Sequence, residues 1–222
     1  LICGHFEGVD ERVLSTRNLV STLKSLQKPP ETLISASAIG FYGNYKPVEL
    51  YESLEPGHDG FLADVCKDWE HEAFIAKKHN IRTIALRIGL VLGYEGGAMK
   101  KMLPPFWAGL GGSLGDGTQW MSWIHVKDLV DMIIHSIEKK SIEGSYNAVS
   151  PEPVTNKIFT KCLAKALKRP AFIPVPKIAL KVILGEMSDL LLGSLKVSSK
   201  KILESGYNFK YPDLMSALNN IC

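Results

Sequence analysis

The sequence predicts an α/β protein: a parallel sheet covered by helices, followed by a small, mainly helical C-terminal lobe. Three observations carry this. Segments with helical apolar spacing alternate with short apolar runs along the first two thirds of the chain, the pattern of parallel strands joined by crossover helices. The two clearest strand segments, Thr32–Ala38 and Arg82–Leu92, are apolar almost throughout, as strands buried on both faces are. From Pro170 onward the chain changes to apolar stretches cut by Pro174, Pro176, Gly193, Gly206 and Pro212.

In chain order, residues 1–8 form a short piece that reads as the end of a strand. Val13, Leu14, Leu19, Val20, Leu23 and Leu26 mark one face of a helix that Pro29-Pro30 stops. The strand Thr32–Ala38 ends in a serine and a glycine-bearing turn, Ser37-Ala38-Ile39-Gly40-Phe41-Tyr42-Gly43. Tyr45–Asp59, rich in Pro, Gly and acidic residues, reads as a surface loop. Leu62, Val65, Cys66, Trp69, Ala73 and Ala76 define the next helix, and Arg82–Leu92 is read as one strand breaking at Gly93. The glycine-dense stretch Gly93–Gly117 holds a helix over Met99–Leu110 and loops over the mouth of a site. A short strand over Ser122–Val126 precedes a helix over Asp128–Glu138, which Asp128 is expected to cap. Tyr146–Val149 is a strand and Thr155–Lys168 a helix. The boundary falls at 1–150 for the sheet domain and 151–222 for the lobe.

The chain has 222 residues, 45% hydrophobic and 22% charged, with a net charge of +3. That suits a well-cored protein and gives no basic patch to indicate nucleic acid. No apolar run reaches the roughly 20 residues that span a bilayer. Cys3, Cys66, Cys162 and Cys222 show no Cys-x-x-Cys spacing, so no metal site is expected and a reducing, cytoplasmic location is.

Four pieces fall in an order that resembles the extended short-chain dehydrogenase/reductase family: Arg12–Leu19; Leu86-Arg87-Ile88-Gly89-Leu90-Val91-Leu92-Gly93; Gly115-Asp116-Gly117 followed by Trp123-Ile124-His125-Val126-Lys127-Asp128; and Tyr146-Asn147-Ala148-Val149. Ser35–Gly43, Phe61–Glu70, Gly96–Phe106 and Arg169–Pro176 are similar, more narrowly, to an atypical epimerase-like branch of unproven substrate with its own C-terminal domain. The resemblance implies a Rossmann-like, doubly wound parallel sheet with a ligand cleft beside the lobe. It implies NADP, or NAD, as cofactor and a small-molecule substrate, and it leaves a homodimer open.

The same resemblance supplies candidate site residues. Ser35, Ala36, Arg87, Gly89 and Leu90 lie where the cofactor is held, and Arg12, Leu62 and Trp120 where substrate is. The family's usual proton-transfer pair, Tyr-x-x-x-Lys, falls on Leu62 and Cys66, or in the other register on Phe61 and Val65, so neither register offers an acid/base pair. Ser37 remains as a hydrogen-bonding group. Cys66 reads either as an ionisable base or nucleophile or as a buried core thiol. Tyr42 is the phenol nearest Ser37 in sequence and a stand-in acid. Arg12 reads either as an anion anchor or as a solvated helix-start arginine, and His125 as a structural histidine. Trp120-Met121 stands where sugar-nucleotide epimerases often carry a diphosphate-binding Arg, which argues against a nucleotide sugar.

The family's N-terminal Gly-x-x-Gly-x-x-Gly loop has no counterpart here, since Gly4 and Gly8 are too little to form it. Two or three βα units are therefore expected to be missing, by disorder or truncation, and dinucleotide binding to be weakened if they truly are. Three functions compete. The leading one is an NAD(P)-dependent oxidoreductase or sugar-epimerase-like enzyme. The second is a non-catalytic NAD(P)-binding sensor or scaffold, and the third an interaction protein using Ile178–Leu192.

Overall fold

A computed structural model describes residues 10–43, 45–58, 60–94, 96–171 and 193–222. The proposed partner surface Ile178–Leu192 lies outside the described residues. Three parallel strands, β1 (Thr32–Ala38), β3 (Arg82–Ile88) and β7 (Gly144–Ala148), form a sheet in the order β1-β3-β7. Their register places Ser35 beside Ala85 beside Ser145, and Ser37 beside Arg87 beside Asn147. Successive side chains on a strand point to opposite faces, so the two faces differ sharply in chemistry.

One face is apolar. Ile34, Ile84, Leu86, Tyr146 and Ala148 pack with Met132 of helix α4 (Val126–Glu138), with Ile142, and with Ile202 of helix α6 (Lys200–Glu204). The opposite face is covered by α1 (Glu11–Leu23) and α2 (Phe61–Phe74). There Val20, Ala76 and Ile81 close the lower end, with Leu23, Leu33 and Ile75 around them. Above this apolar floor the in-register row Ser37, Arg87 and Asn147 is polar and buried.

A second core joins the segments after β3 to the C-terminal region. Helix α3 (Gly97–Trp107), helix α5 (Asn156–Leu167) and helix α7 (Leu214–Ile221) surround Leu92, Trp123, Phe159 and Leu163. Short strands complete this part. β4 (Leu90–Leu92) pairs in parallel with β6 (Trp123–His125), and β5 (Trp120–Met121) pairs antiparallel with β8 (Val154–Thr155).

Four sequence expectations are corrected. Tyr45–Leu50 is a strand, β2, rather than loop, and it pairs in parallel with β9 (Ser194–Val197), a strand inside the region expected to be helical. Arg82–Leu92 is two strands. The chain leaves the main sheet at Gly89, where a Cβ would lie 2.6 Å from the Ser122 carbonyl oxygen and 2.8 Å from Val149, and continues against β6. Asp128 does not cap α4. His125 does, its ring nitrogen accepting from the Lys127 amide at 3.1 Å. Asp128 is instead fully buried and accepts from the backbone amides of Lys210 and Tyr211 at 2.6 and 3.0 Å, and its own carbonyl accepts from the Tyr207 hydroxyl at 2.8 Å. It ties the C-terminal segment to α4.

Candidate functional site

The polar row under α2 is organised by one carboxylate. Glu70 sits on the face of α2 that carries Leu62 and Cys66, two turns and one turn earlier, and it is 5% exposed. Its partner Arg87 is the one charged residue in the upper part of β3 and is 4% exposed. The two form a bidentate pair, Nε to Oε1 at 2.8 Å and Nη2 to Oε2 at 2.9 Å. Two buried charges persist in such a site only when paired and hydrogen-bonded. The guanidinium also lies 3.4 Å from the centre of the Phe41 ring, a face that attracts cations. Burial works against the Arg87 cation, but Glu70 and Tyr42 outweigh it and hold its pKa above the ordinary arginine value.

The remaining lone pairs of Glu70 are filled by two hydroxyls. Ser37 Oγ donates to Oε1 at 2.7 Å and Ser145 Oγ donates to Oε2 at 2.9 Å. Arg87 Nη1 donates to the Tyr42 hydroxyl at 3.0 Å, and that hydroxyl donates to Asn147 Oδ1 at 2.7 Å. Asn147 in turn donates from Nδ2 to the Ser198 carbonyl and from its backbone amide to Glu52. Every strand of the main sheet thus contributes to one continuous hydrogen-bonded chain, with no member of it lacking a partner.

The structure brings Ser37, Tyr42 and Arg87 together and places the other candidates around them. Tyr42 is 1% exposed and its phenol is pushed above its ordinary pKa by burial, with Arg87 pulling the other way. Cys66 is fully buried among Phe41, Tyr42, Leu50 and Val149. Burial pushes its thiol up to about 11, although a backbone hydrogen bond from Ala38 pulls the other way. It is a neutral thiol near pH 7, which favours the core reading over the base or nucleophile. Leu62 lies over Gly40, where a Cβ would be 2.5 Å from its Cδ2; the glycine lets the helix sit directly on the turn after β1.

Ser35 is buried and its hydroxyl donates to the neighbouring Ala36 carbonyl at 3.1 Å, while Ala36 is exposed on the opposite face of β1. Gly89 and Leu90 belong to the crossing onto β6, Leu90 pairing with Trp123. Arg12 lies in the first turn of α1, near enough for its charge to oppose the upward shift of the Cys66 thiol. Its guanidinium meets both carboxylate oxygens of Asp10 at 2.8 Å and lies 5.7 Å from the Trp69 ring. That hydrogen bond from Arg12 holds the Asp10 carboxyl below its ordinary range, with burial opposing it. Trp120 belongs to the β9 side, with its amide donating to Ser194 Oγ and Lys196 Nζ 5.1 Å from its ring.

The sequence motifs leave Glu70 without a role. The signal was present: a glutamate one turn after Cys66 on the apolar face of a helix, and an arginine inside an apolar strand, each needing the other.

The residues fit one end of a dinucleotide. The carboxyl end of β1, where α/β sheets bind ligands, carries the small side chains Ser35, Ala36 and Ser37, of which Ala36 is exposed. Among the described residues no glycine-rich strand-to-helix turn is present to hold a pyrophosphate, and no group of acidic, His or Cys side chains could hold a metal ion. No helix among the described residues is long and apolar enough to cross a membrane.

A parallel sheet with helices on both faces and its polar cluster at the carboxyl ends of β1 and β3 defines a Rossmann-like protein of the epimerase type. The profile described as "NAD dependent epimerase/dehydratase family" matches residues 6–148, and "Domain of unknown function (DUF1731)" matches residues 175–221. The chain belongs to the NAD dependent epimerase/dehydratase family. It is 41% identical over 192 residues to the "Epimerase family protein SDR39U1 homolog, chloroplastic" of Arabidopsis thaliana, covering 86% of this chain and 55% of that protein. It is 37% identical over 213 residues to "Epimerase family protein YfhF" of Bacillus subtilis, covering 96% and 70%. The crystal structure of human epimerase family protein SDR39U1 (isoform 2) with NADPH superposes with a TM-score of 0.86 at 31% identity, over 95% of this chain and 71% of that one. The chain thus spans little more than half of the plant relative's length.

Proposed function

We propose that this chain serves an NAD(P)-dependent oxidoreductase or epimerase-like reaction on a small molecule, with NADP the preferred cofactor. The observation that carries the reading is Ser37, placed at the carboxyl end of β1 and locked by Glu70 in the row that Arg87 and Asn147 complete. The human relative solved with NADPH supports the choice of cofactor. A bound nicotinamide would supply hydride transfer. The chain's own residues would supply position. Ala36 would line the ring's approach, with Ser35 behind it on the buried face of β1, Leu90 would close the side toward β6, and Ser37 would fix one polar group of the ligand. Arg87 acts through Glu70 and Tyr42 rather than on the cofactor, and the Gly89 position is set by packing against Ser122.

Titration calorimetry with NADPH and NADH tests this reading. NADPH should bind more tightly than NADH, and Ser37→Ala should lower turnover of any substrate found by screening by about tenfold or more. Absence of binding by either nucleotide would sink the proposal.

A second reading keeps the binding and drops the chemistry. Leu62 and the neutral, buried Cys66 stand where the family's usual phenol and ammonium would be, and the Tyr42 phenol is enclosed by Arg87 and Asn147. This arrangement favours a sensor or scaffold that binds NAD(P) without turning over. It predicts nucleotide affinity with no hydride exchange between NADPH and any carbonyl compound.

A further inference from the structure

A carboxylate paired with a guanidinium accepts hydrogen bonds and has none to give. Ser37 Oγ lies 2.7 Å from Glu70 Oε1, and that oxygen also takes Arg87 Nε at 2.8 Å. The hydroxyl hydrogen of Ser37 is therefore committed to Glu70. A serine has one hydrogen and two lone pairs, so only the lone pairs are left for a ligand. The second oxygen of the carboxylate is held by Arg87 Nη2 and by Ser145 Oγ, both at 2.9 Å, so the carboxylate cannot rotate away without breaking three other contacts. Glu70 and Ser37 are both almost fully buried, at 5% and 3% exposure, which keeps water from replacing either partner.

We propose that Glu70 is a positioning residue that turns Ser37 into a hydrogen-bond acceptor, so that the site selects a ligand group that donates, an alcohol hydroxyl or a carboxamide N–H, over a carbonyl or a carboxylate. The inference rests on the reading above in which Ser37 meets the ligand. It deepens that reading by giving the site a polarity. A carbonyl oxygen placed against Ser37 would set acceptor against acceptor, with neither side free to supply a proton.

Two probe pairs test this on the full chain by calorimetry or ligand-observed NMR, and they separate the two sources of the donor. Cyclohexanol against cyclohexanone, with NADP⁺ present, reports on a substrate alcohol. NADP⁺ against its analogue with a carboxylate in place of the carboxamide reports on the nicotinamide itself. The donor member of at least one pair should bind about tenfold more tightly. That preference should vanish in Ser37→Ala, which removes the acceptor with little change of volume. It should weaken in Glu70→Gln, whose amide can donate to Ser37 and release its hydrogen. Because Glu70→Gln disturbs the Arg87 pair, the wild-type protein gives an independent readout. Its Ser37 hydroxyl proton should appear as a slowly exchanging, downfield resonance, lost in Ser37→Ala and unmoved when a probe binds. Equal or tighter binding of the carbonyl and carboxylate members in both pairs overturns the proposal and leaves the site standing. Failure of all four probes removes the ligand role of Ser37 and the proposal with it.

Discussion

Two carboxylates, Glu70 and Asp128, are buried on opposite faces of the main sheet, and they are satisfied by different means. Glu70 faces a cation, Arg87, and gathers side chains from all three strands. Asp128 receives no cation within ion-pair distance among the described residues; backbone amides of Lys210 and Tyr211 hold its two oxygens. The first arrangement fixes side chains relative to each other and so shapes a site. The second fixes a stretch of backbone and so closes a fold. A buried carboxylate held by amides can be replaced by another acceptor, whereas one half of an ion pair cannot be removed without stranding the other half.

The largest expected effect follows from that asymmetry. Glu70→Ala strands the Arg87 guanidinium and should cost about 3–5 kcal/mol in urea unfolding, whereas the double variant Glu70→Leu with Arg87→Met should recover most of the loss. A double variant no more stable than the single one would show that the charges stabilise beyond satisfying each other. Asp128→Asn comes next, at about 1–3 kcal/mol, because an amide keeps one acceptor and turns two hydrogens toward the Lys210 or Tyr211 amide. Equal losses at the two sites would erase the distinction.

A smaller effect is a pH dependence on the Asp128 side. The His125 ring lies 4.0 Å from that of Tyr211, its Nδ1 caps α4, and its Nε2 has no hydrogen-bond partner among the described residues. Burial lowers its pKa below the ordinary value, although the Asp128 charge opposes this. The unfolded chain therefore takes up the proton first as pH falls. The contribution of His125 is complete above about pH 6.5 and is lost below it, by less than about 1.4 kcal/mol per pH unit. Melting temperatures at pH 7.5 and 5.5 should differ in the wild type, and the difference should shrink in His125→Asn.

The smallest effect concerns Cys66. With its thiol raised to about 11, the unfolded chain ionises first between the ordinary cysteine value near 9 and about 11, so stability is lost as pH rises through that window. Mass-spectrometric mapping of iodoacetamide labelling at pH 8 should find Cys66 unmodified until denaturant is added. Rapid labelling of native protein would restore it as a reactive group.

Much of this fold was legible in the sequence because it rests on local periodicity. The helical spacing of Val13 to Leu23, of Leu62 to Ala73 and of Phe159 to Leu167 gave three helices, and the apolar runs gave β1 and β3. What escaped depends on distant partners. β2 carries Pro47 and Glu49 and looks like loop until β9 is set beside it. The break at Gly89 is invisible in an apolar run and comes from the Ser122 carbonyl. Asp128 looks like a cap because its true partners lie some eighty residues onward. In the site, the resemblance identified Ser37 and the loss of the phenol and ammonium. The commitment of the Ser37 hydrogen to Glu70 needed the distance between them.

The pairing of β2 with β9 bears on how the protein is made. The wall behind Tyr42 and Cys66 is completed by Leu195 and Val197, and Ser122 pins that strand by donating to the Leu195 carbonyl and accepting from the Val197 amide. On a ribosome the earlier strands emerge long before these residues do, and the closing contact spans more than half the chain. Tyr42 and Cys66 are thus enclosed only once β9 has been made and has paired with β2.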